Sequence, residues 1–166
     1  QMYYLPDVGK SKAIAIIKRA GDVNKETKIN ALGKLTDATP IERIQPITLS
    51  GFDNIDARRL LFEKWYTRHK DSKEAIFIDG RQNAEDFEIF AVTPDLADRY
   101  RETLFTDEID ELPCNYKATT QTGLINAGMM IGIMTNFISE LVDPGIRVIP
   151  FRTSFNIPMM YVEITE

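Results

Sequence analysis

Asp53 and Asn54 close the run Ser50-Gly51-Phe52-Asp53-Asn54, and Arg58 follows them. A carboxylate, an amide and a guanidinium thus stand where the apolar run Ile47-Thr48-Leu49 gives way to a helical pattern. A carboxylate there could hold a magnesium ion bound to phosphates, because magnesium needs only one or two carboxylates besides phosphate oxygens and water. Arg58 could return towards the same ligand. A second group is Asp7-Val8-Gly9-Lys10-Ser11-Lys12. Lys12 lies in the first turn of an expected helix, whose N-terminus attracts anions, and its ammonium adds a mobile charge. Each residue also has a plain reading. Lys12 can be a solvated lysine on an amphipathic helix. Asp53 and Asn54 can be ordinary helix caps. Arg58 can be a surface arginine.

Cys114 is the third candidate. It follows an acidic stretch, Thr106 to Pro113, and precedes the longest apolar helix pattern. A thiol whose pKa is lowered by Lys117 or a helix N-terminus is a better nucleophile. The alternative is a lone cysteine without a special role.

Composition narrows the field. The chain has 166 residues, enough for one domain with a real core. Lys and Arg number 20 against 25 Asp and Glu, a formal net charge of −5. That balance argues against nonspecific nucleic-acid binding, which needs a basic face. One Cys excludes an intrachain disulfide and a multi-Cys zinc site, and one His excludes a His-rich metal site. The single Cys fits a reducing compartment, so the cytoplasm is expected. The most apolar stretch, Leu124 to Val142, is broken by Asn126, Asn136, Ser139 and Glu140, so no membrane span is expected. The first residues lack a basic start followed by an apolar run, so no signal peptide is expected.

The elements that must position these residues can be read in order. Gly9 to Ala20 reads as a helix, with Asp7 as N-cap, a stripe of Ala13, Ile14, Ile17 and Ala20, and Gly21 as its end. Thr27 to Leu35 alternates as a strand would. Ile47 to Leu49 reads as a short buried parallel strand. Asn54 to His69 reads as a helix that buries Ile55, Leu60, Leu61 and Trp65. Ala75 to Asp79 and Phe87 to Val92 read as strands joined by a long loop, Gly80 to Asp86. Pro94 to Leu104 reads as a short helix opened by its proline. Thr119 to Leu141 reads as the longest helix, with Gly123, Ala127, Gly128 and Gly132 near one face. Arg147 to Arg152 and Met159 to Ile164 read as a closing antiparallel pair. The expected fold is α/β: a mixed sheet with a parallel core and antiparallel C-terminal strands. Ligands of such sheets bind beyond the carboxyl ends of the parallel strands, where Asp53 and Asn54 fall.

Order and spacing of these motifs resemble the ThiF/MoeB family, the activating enzymes of ubiquitin-like and sulfur-carrier proteins. The resemblance rests on Gln1 to Lys12, Q-x5-D-V-G-K-x-K-A, and on F-D-N-x-x-x-R ending at Arg58. The strands around Ile76-Phe77-Ile78-Asp79-Gly80-Arg81 and Phe87-Glu88-Ile89-Phe90 extend it, as do the Cys114 region and the glycine-rich helix. It spans nearly the whole chain. It implies a truncated Rossmann-like sheet and a single ThiF-like domain over residues 1–166. By resemblance, Gln1, Lys12, Asp53, Asn54 and Arg58 would bind ATP, Lys12 contacting phosphate and Asp53 holding Mg2+. The implied reaction adenylates the C-terminal carboxylate of a small β-grasp protein. In many members a thiol in the region of Cys114 takes the activated carrier as a thioester. A homodimer is also implied.

The sequence departs from the family in two respects. It has no Cys-x-x-Cys zinc pair. The glycine-rich nucleotide loop, the ribose-binding acidic residue and the arginine before Gln1 would all precede the chain. The expectation is therefore a piece of a longer enzyme, inactive in this form. A half-site supplied by another chain and a catalytically dead dimerisation or interaction module are the alternatives.

Overall fold

The computed structural model describes residues 4–83, 85–104, 117–145 and 147–166. The chain divides into two compact units, Gln1–Thr36 and Asp37–Glu166, and each is described by itself.

In the first unit a 3-10 turn, Leu5–Asp7, precedes helix α1, Lys12–Val23. The helix starts three residues later than expected because Gly9 has φ of +82°, a left-handed conformation that no continuous right-handed helix contains. Ser11 is at the N-cap position, and Asp7 lies in the 3-10 turn instead. The Asp7 carboxylate accepts from the Tyr4 amide at 3.0 Å and pairs with Arg19, whose guanidinium lies 3.9 Å from the Tyr4 ring centre. Gly21 does not end α1, which runs on through Val23. The strand expected over Thr27 to Leu35 is absent: no other strand pairs with it, and Gly33, φ +77°, interrupts it. Alternation alone cannot hold a strand that has no hydrogen-bonding neighbour.

The second unit is a mixed α/β layer structure. Its strands are β1 (Ile47–Ser50), β2 (Ile76–Asn83), β3 (Asp86–Val92), β4 (Arg152–Asn156) and β5 (Tyr161–Thr165). They form one sheet in the order β1-β2-β3-β4-β5. Only β1 and β2 are parallel, with Ile47 opposite Ile76 and Ser50 opposite Asp79; the other pairs are antiparallel. The expected parallel core is thus a single parallel pair at one edge. Helix α2, Ile55–His69, makes the crossover. After β3, a 3-10 turn at Pro94–Leu96 leads into the short helix α3, Ala97–Arg101, and helix α4 spans Lys117–Val142.

Two of these elements differ instructively from expectation. β2 continues through Gly80 to Asn83, which pairs with Asp86, so the hairpin connection is tight. The polar letters of Gly80-Arg81-Gln82-Asn83 hid a strand because its outer half carries polar rather than apolar side chains, among them Arg81, hydrogen-bonded to Asp79 and Thr103. The closing pair lies about five residues further along at β4 than expected, since Pro150 cannot donate to a ladder and pairing starts at Arg152. The turn between β4 and β5 is fixed by Asn156 Oδ1, which accepts from the Met159 amide at 2.9 Å.

The helices cover both faces. α2 and α3 pack on one side, where Phe62, Trp65, Phe77, Phe90, Tyr100 and Phe151, with Val92 among them, form a buried, largely aromatic cluster. The Phe62 and Tyr100 ring centres are 4.5 Å apart. α4 covers the other side, where Ile76, Ile78, Phe87, Ile89 and Ala91 meet Met130 and Phe137. In α2 the buried positions are Arg58, Phe62, Trp65 and His69, one helical stripe; of the expected set Trp65 is on it, while Ile55, Leu60 and Leu61 are half-buried.

α4 approaches β2 at Gly80, where an added Cβ would run into Met130 Sδ and the Asn126 amide. The small residues of α4 do not share one face. Gly123 lies against Gln82, whereas Gly128 and Gly132 open to free space. At about 100° per residue, positions 123 and 132 fall on opposite sides of a helix. Thr122–Val142, 21 residues at a mean hydropathy of 1.3, is long and apolar enough to cross a membrane by length and composition. Here it packs on the sheet through Thr122, Asn126, Met130 and Phe137.

Candidate functional site

The loop Gly51–Asn54 leaves the carboxyl end of β1 and enters α2. Asn54 is the N-cap of α2, in extended backbone, and its Oδ1 accepts from the Ala57 amide at 2.8 Å. The same side chain donates from Nδ2 to Asp53 Oδ1 at 3.1 Å. Asp53 is exposed. One amide therefore starts the helix and orients the neighbouring carboxylate. The capping reading of Asn54 and a ligand-bearing Asp53 are compatible, because capping uses Asn54 and leaves Asp53 outside.

Arg58 is turned inward and is 5% exposed. One terminal nitrogen, Nη1, donates to Asp79 Oδ1 and to the Gly80 carbonyl, the latter at 3.3 Å. The other, Nη2, donates to the Phe52 carbonyl. Among the described residues Nε is buried with no hydrogen-bond partner, as is Ser50 Oγ at the end of β1. The guanidinium thus braces the loop from beneath.

Asp79 is the hub of this arrangement and is fully buried. Its Oδ2 accepts from Arg81 Nε and from the Tyr100 hydroxyl, both at 2.9 Å. Burial, and then the adjacent Asp79 carboxylate, push the Tyr100 phenol well above its usual range, so it stays a donor. Arg81 continues outward to Thr103, donating to its carbonyl at 3.0 Å and to its hydroxyl at 2.9 Å. Asp79, Arg81 and Tyr100 were not singled out from sequence. The available signal was a charged residue closing the apolar run Ala75 to Ile78; in the fold it pairs in register with Ser50, on the strand that leads to Asp53.

A cleft of about 400 Å³ opens beside Arg81, lined among others by Glu88, Arg99, Thr103, Phe151 and Arg152. Its cations are engaged: Arg99 lies 4.1 Å from the Phe151 ring centre, Arg81 lies 4.2 Å from that of Phe90, and Arg152 pairs with Glu88.

Lys12 is the first residue of α1, exposed, in the first unit. Gln1 and Cys114 lie outside the described residues, as does the acidic stretch Thr106 to Pro113. Among the described residues no three His, Cys, Asp or Glu side chains converge to hold a metal ion. An exposed lone carboxylate such as Asp53 suits an ion that takes most of its ligands from phosphate and water, as magnesium does, and does not suit a zinc site.

No protein-family model matches this chain, and no curated protein matches it.

Proposed function

We propose that the chain is a ThiF-like adenylyltransferase component that uses ATP and Mg2+ to activate the C-terminal carboxylate of a ubiquitin-like or sulfur-carrier protein of the β-grasp type. The observation that carries this reading is Asp53: an exposed carboxylate beyond the carboxyl end of a parallel strand, oriented by Asn54, on a loop that Arg58 braces at the Phe52 carbonyl. Ligands of parallel α/β units gather at such ends. The β1–α2–β2 unit is read as Rossmann-like on the same ground.

In the proposed reaction a carboxylate oxygen of the carrier attacks the α-phosphorus of ATP. A bond forms from that oxygen to phosphorus, the bond from phosphorus to the bridging oxygen breaks, and pyrophosphate leaves with the electron pair. No base is needed, because the nucleophile is already ionised. Mg2+ would neutralise charge building on the phosphate oxygens. Asp53 would hold the ion and Asn54 would fix the carboxylate that does so. The reading includes a cytoplasmic location and a homodimer, and no nucleic acid or membrane as partner.

A second reading is a catalytically dead interaction module. It is favoured by the outer face of α4, where Leu124, Ile125, Ile131, Ile138 and Leu141 are exposed beside Gly128.

Titration calorimetry of the full-length protein with Mg-ATP separates the two. The adenylation reading expects saturable binding, weakened about a hundredfold by Asp53→Ala, with an unchanged melting temperature. Absence of binding by the unmodified full-length protein selects the interaction module. Pyrophosphate exchange that survives in full in Asp53→Ala removes Asp53 from the site.

A further inference from the structure

Burying Asp79 and Arg58 together has no simple stabilising purpose. Taking two charges out of water costs several kcal/mol per ion, and apolar residues of similar volume often serve stability as well or better. The neighbours would accept them: Phe62, Phe77 and Tyr100 already pack on this side of the sheet. Apolar side chains could not reach the Phe52 carbonyl. Arg58 does, with one arm on Asp79 and the other on the residue next to Asp53.

We propose that Asp79, acting through Arg58, is a positioning residue for Asp53. The latch runs from the Asp79 carboxylate on β2 through the Arg58 fork on α2 to the Phe52 carbonyl. It fixes the backbone from which the Asp53 carboxylate projects, while Asn54 fixes that carboxylate's rotation. Asp79 is itself immobilised by Arg81 and Tyr100, so the latch is anchored in the rigid centre of the sheet. An arginine suits the latch because its two terminal nitrogens, spread on a rigid planar fork, reach acceptors on different elements, whereas an ammonium presents all its donors from one atom. The metal-holding part of this inference rests on the nucleotide reading above, and the latch itself does not.

The test compares the full chain with Arg58→Lys, which keeps a cation beside Asp79 and loses the fork. Amide hydrogen exchange at Phe52, Asp53 and Asn54 is expected to quicken about tenfold, while amides of β2 and β3 change less than about twofold. The Mg2+ concentration giving half-maximal ATP binding is expected to rise about tenfold, the usual loss when an outer partner of a metal ligand is removed. Saturating Mg2+ then restores wild-type ATP affinity, a rescue that a generally loosened fold would not show. Unchanged exchange at residues 52–54 overturns the latch. Faster exchange there with an unaltered Mg2+ requirement overturns the positioning of a metal ligand. If the unmodified full-length protein binds no Mg-ATP, the nucleotide reading fails and the exchange result alone decides the latch. Should Arg58→Lys not fold, Asp79→Asn, nearly isosteric, is expected to give the same local exchange signature, and its absence overturns the latch equally.

Discussion

Asp7, Asp53 and Asp79 carry the same carboxylate and meet three environments. Asp7 accepts the Tyr4 amide and pairs with Arg19. The backbone hydrogen bond first, and Arg19 and nearby lysines with it, hold the Asp7 carboxyl below its ordinary value of 3.8. A depressed folded-state pKa contributes stability that is present above the unfolded value and lost as pH falls through the folded one. The Tyr4–Asp7–Arg19 clasp is therefore expected to open below pH 3.8, seen as an acid-dependent shift of the Tyr4 amide resonance. Asp7→Asn should abolish that titration. Asp53 and Asn54 were legible in sequence, because a carboxylate and a cap between a strand and a helix have few places to go. The inward turn of Arg58 was not. Its partner, Asp79, lies 21 positions away, and sequence spacing does not say which long side chain folds under its own helix.

At the level of elements, pattern succeeded where many neighbours acted on one segment. β1, α2, β3 and α4 lie close to where periodicity and punctuation put them. The strand expected over Thr27 to Leu35 did not form, since a strand is made by its neighbour. The two glycines on the β2–α4 contact and on the outside of α4 give a paired prediction. Gly80→Ala puts a methyl against Met130 and Asn126 and is expected to lower stability by about 1 kcal/mol, the low end for overpacking, because both are side-chain ends that can shift. Gly128→Ala meets open space in a helix interior and is expected to raise stability by about 0.5–1 kcal/mol. Thermal melts of the two variants should move in opposite directions.

For the whole molecule, the sheet is mixed, with α2 and α3 on one face and α4 on the other within the second unit. The outward side of α4 leaves Leu124, Ile131 and Ile138 exposed, with Ile131 at 53%. If the proposed homodimer uses this side, Ile131→Glu should convert dimer to monomer in sedimentation with little change in melting temperature. A dimer that persists in the variant places the interface elsewhere. By itself the sequence determined the α/β class, the helices, the strand leading to Asp53 and the capping amide beside it. Those features are local: they follow from periodicity, caps and breakers acting over a few residues. Only the tertiary structure decided that the parallel part is one edge pair, that the small residues of α4 face both ways, and that Arg58 and Asp79 join beneath the loop. Those depend on which distant segments come into contact, and in particular on a buried carboxylate collecting three donors from β2, α2 and α3 because a charge withdrawn from water must be met by others.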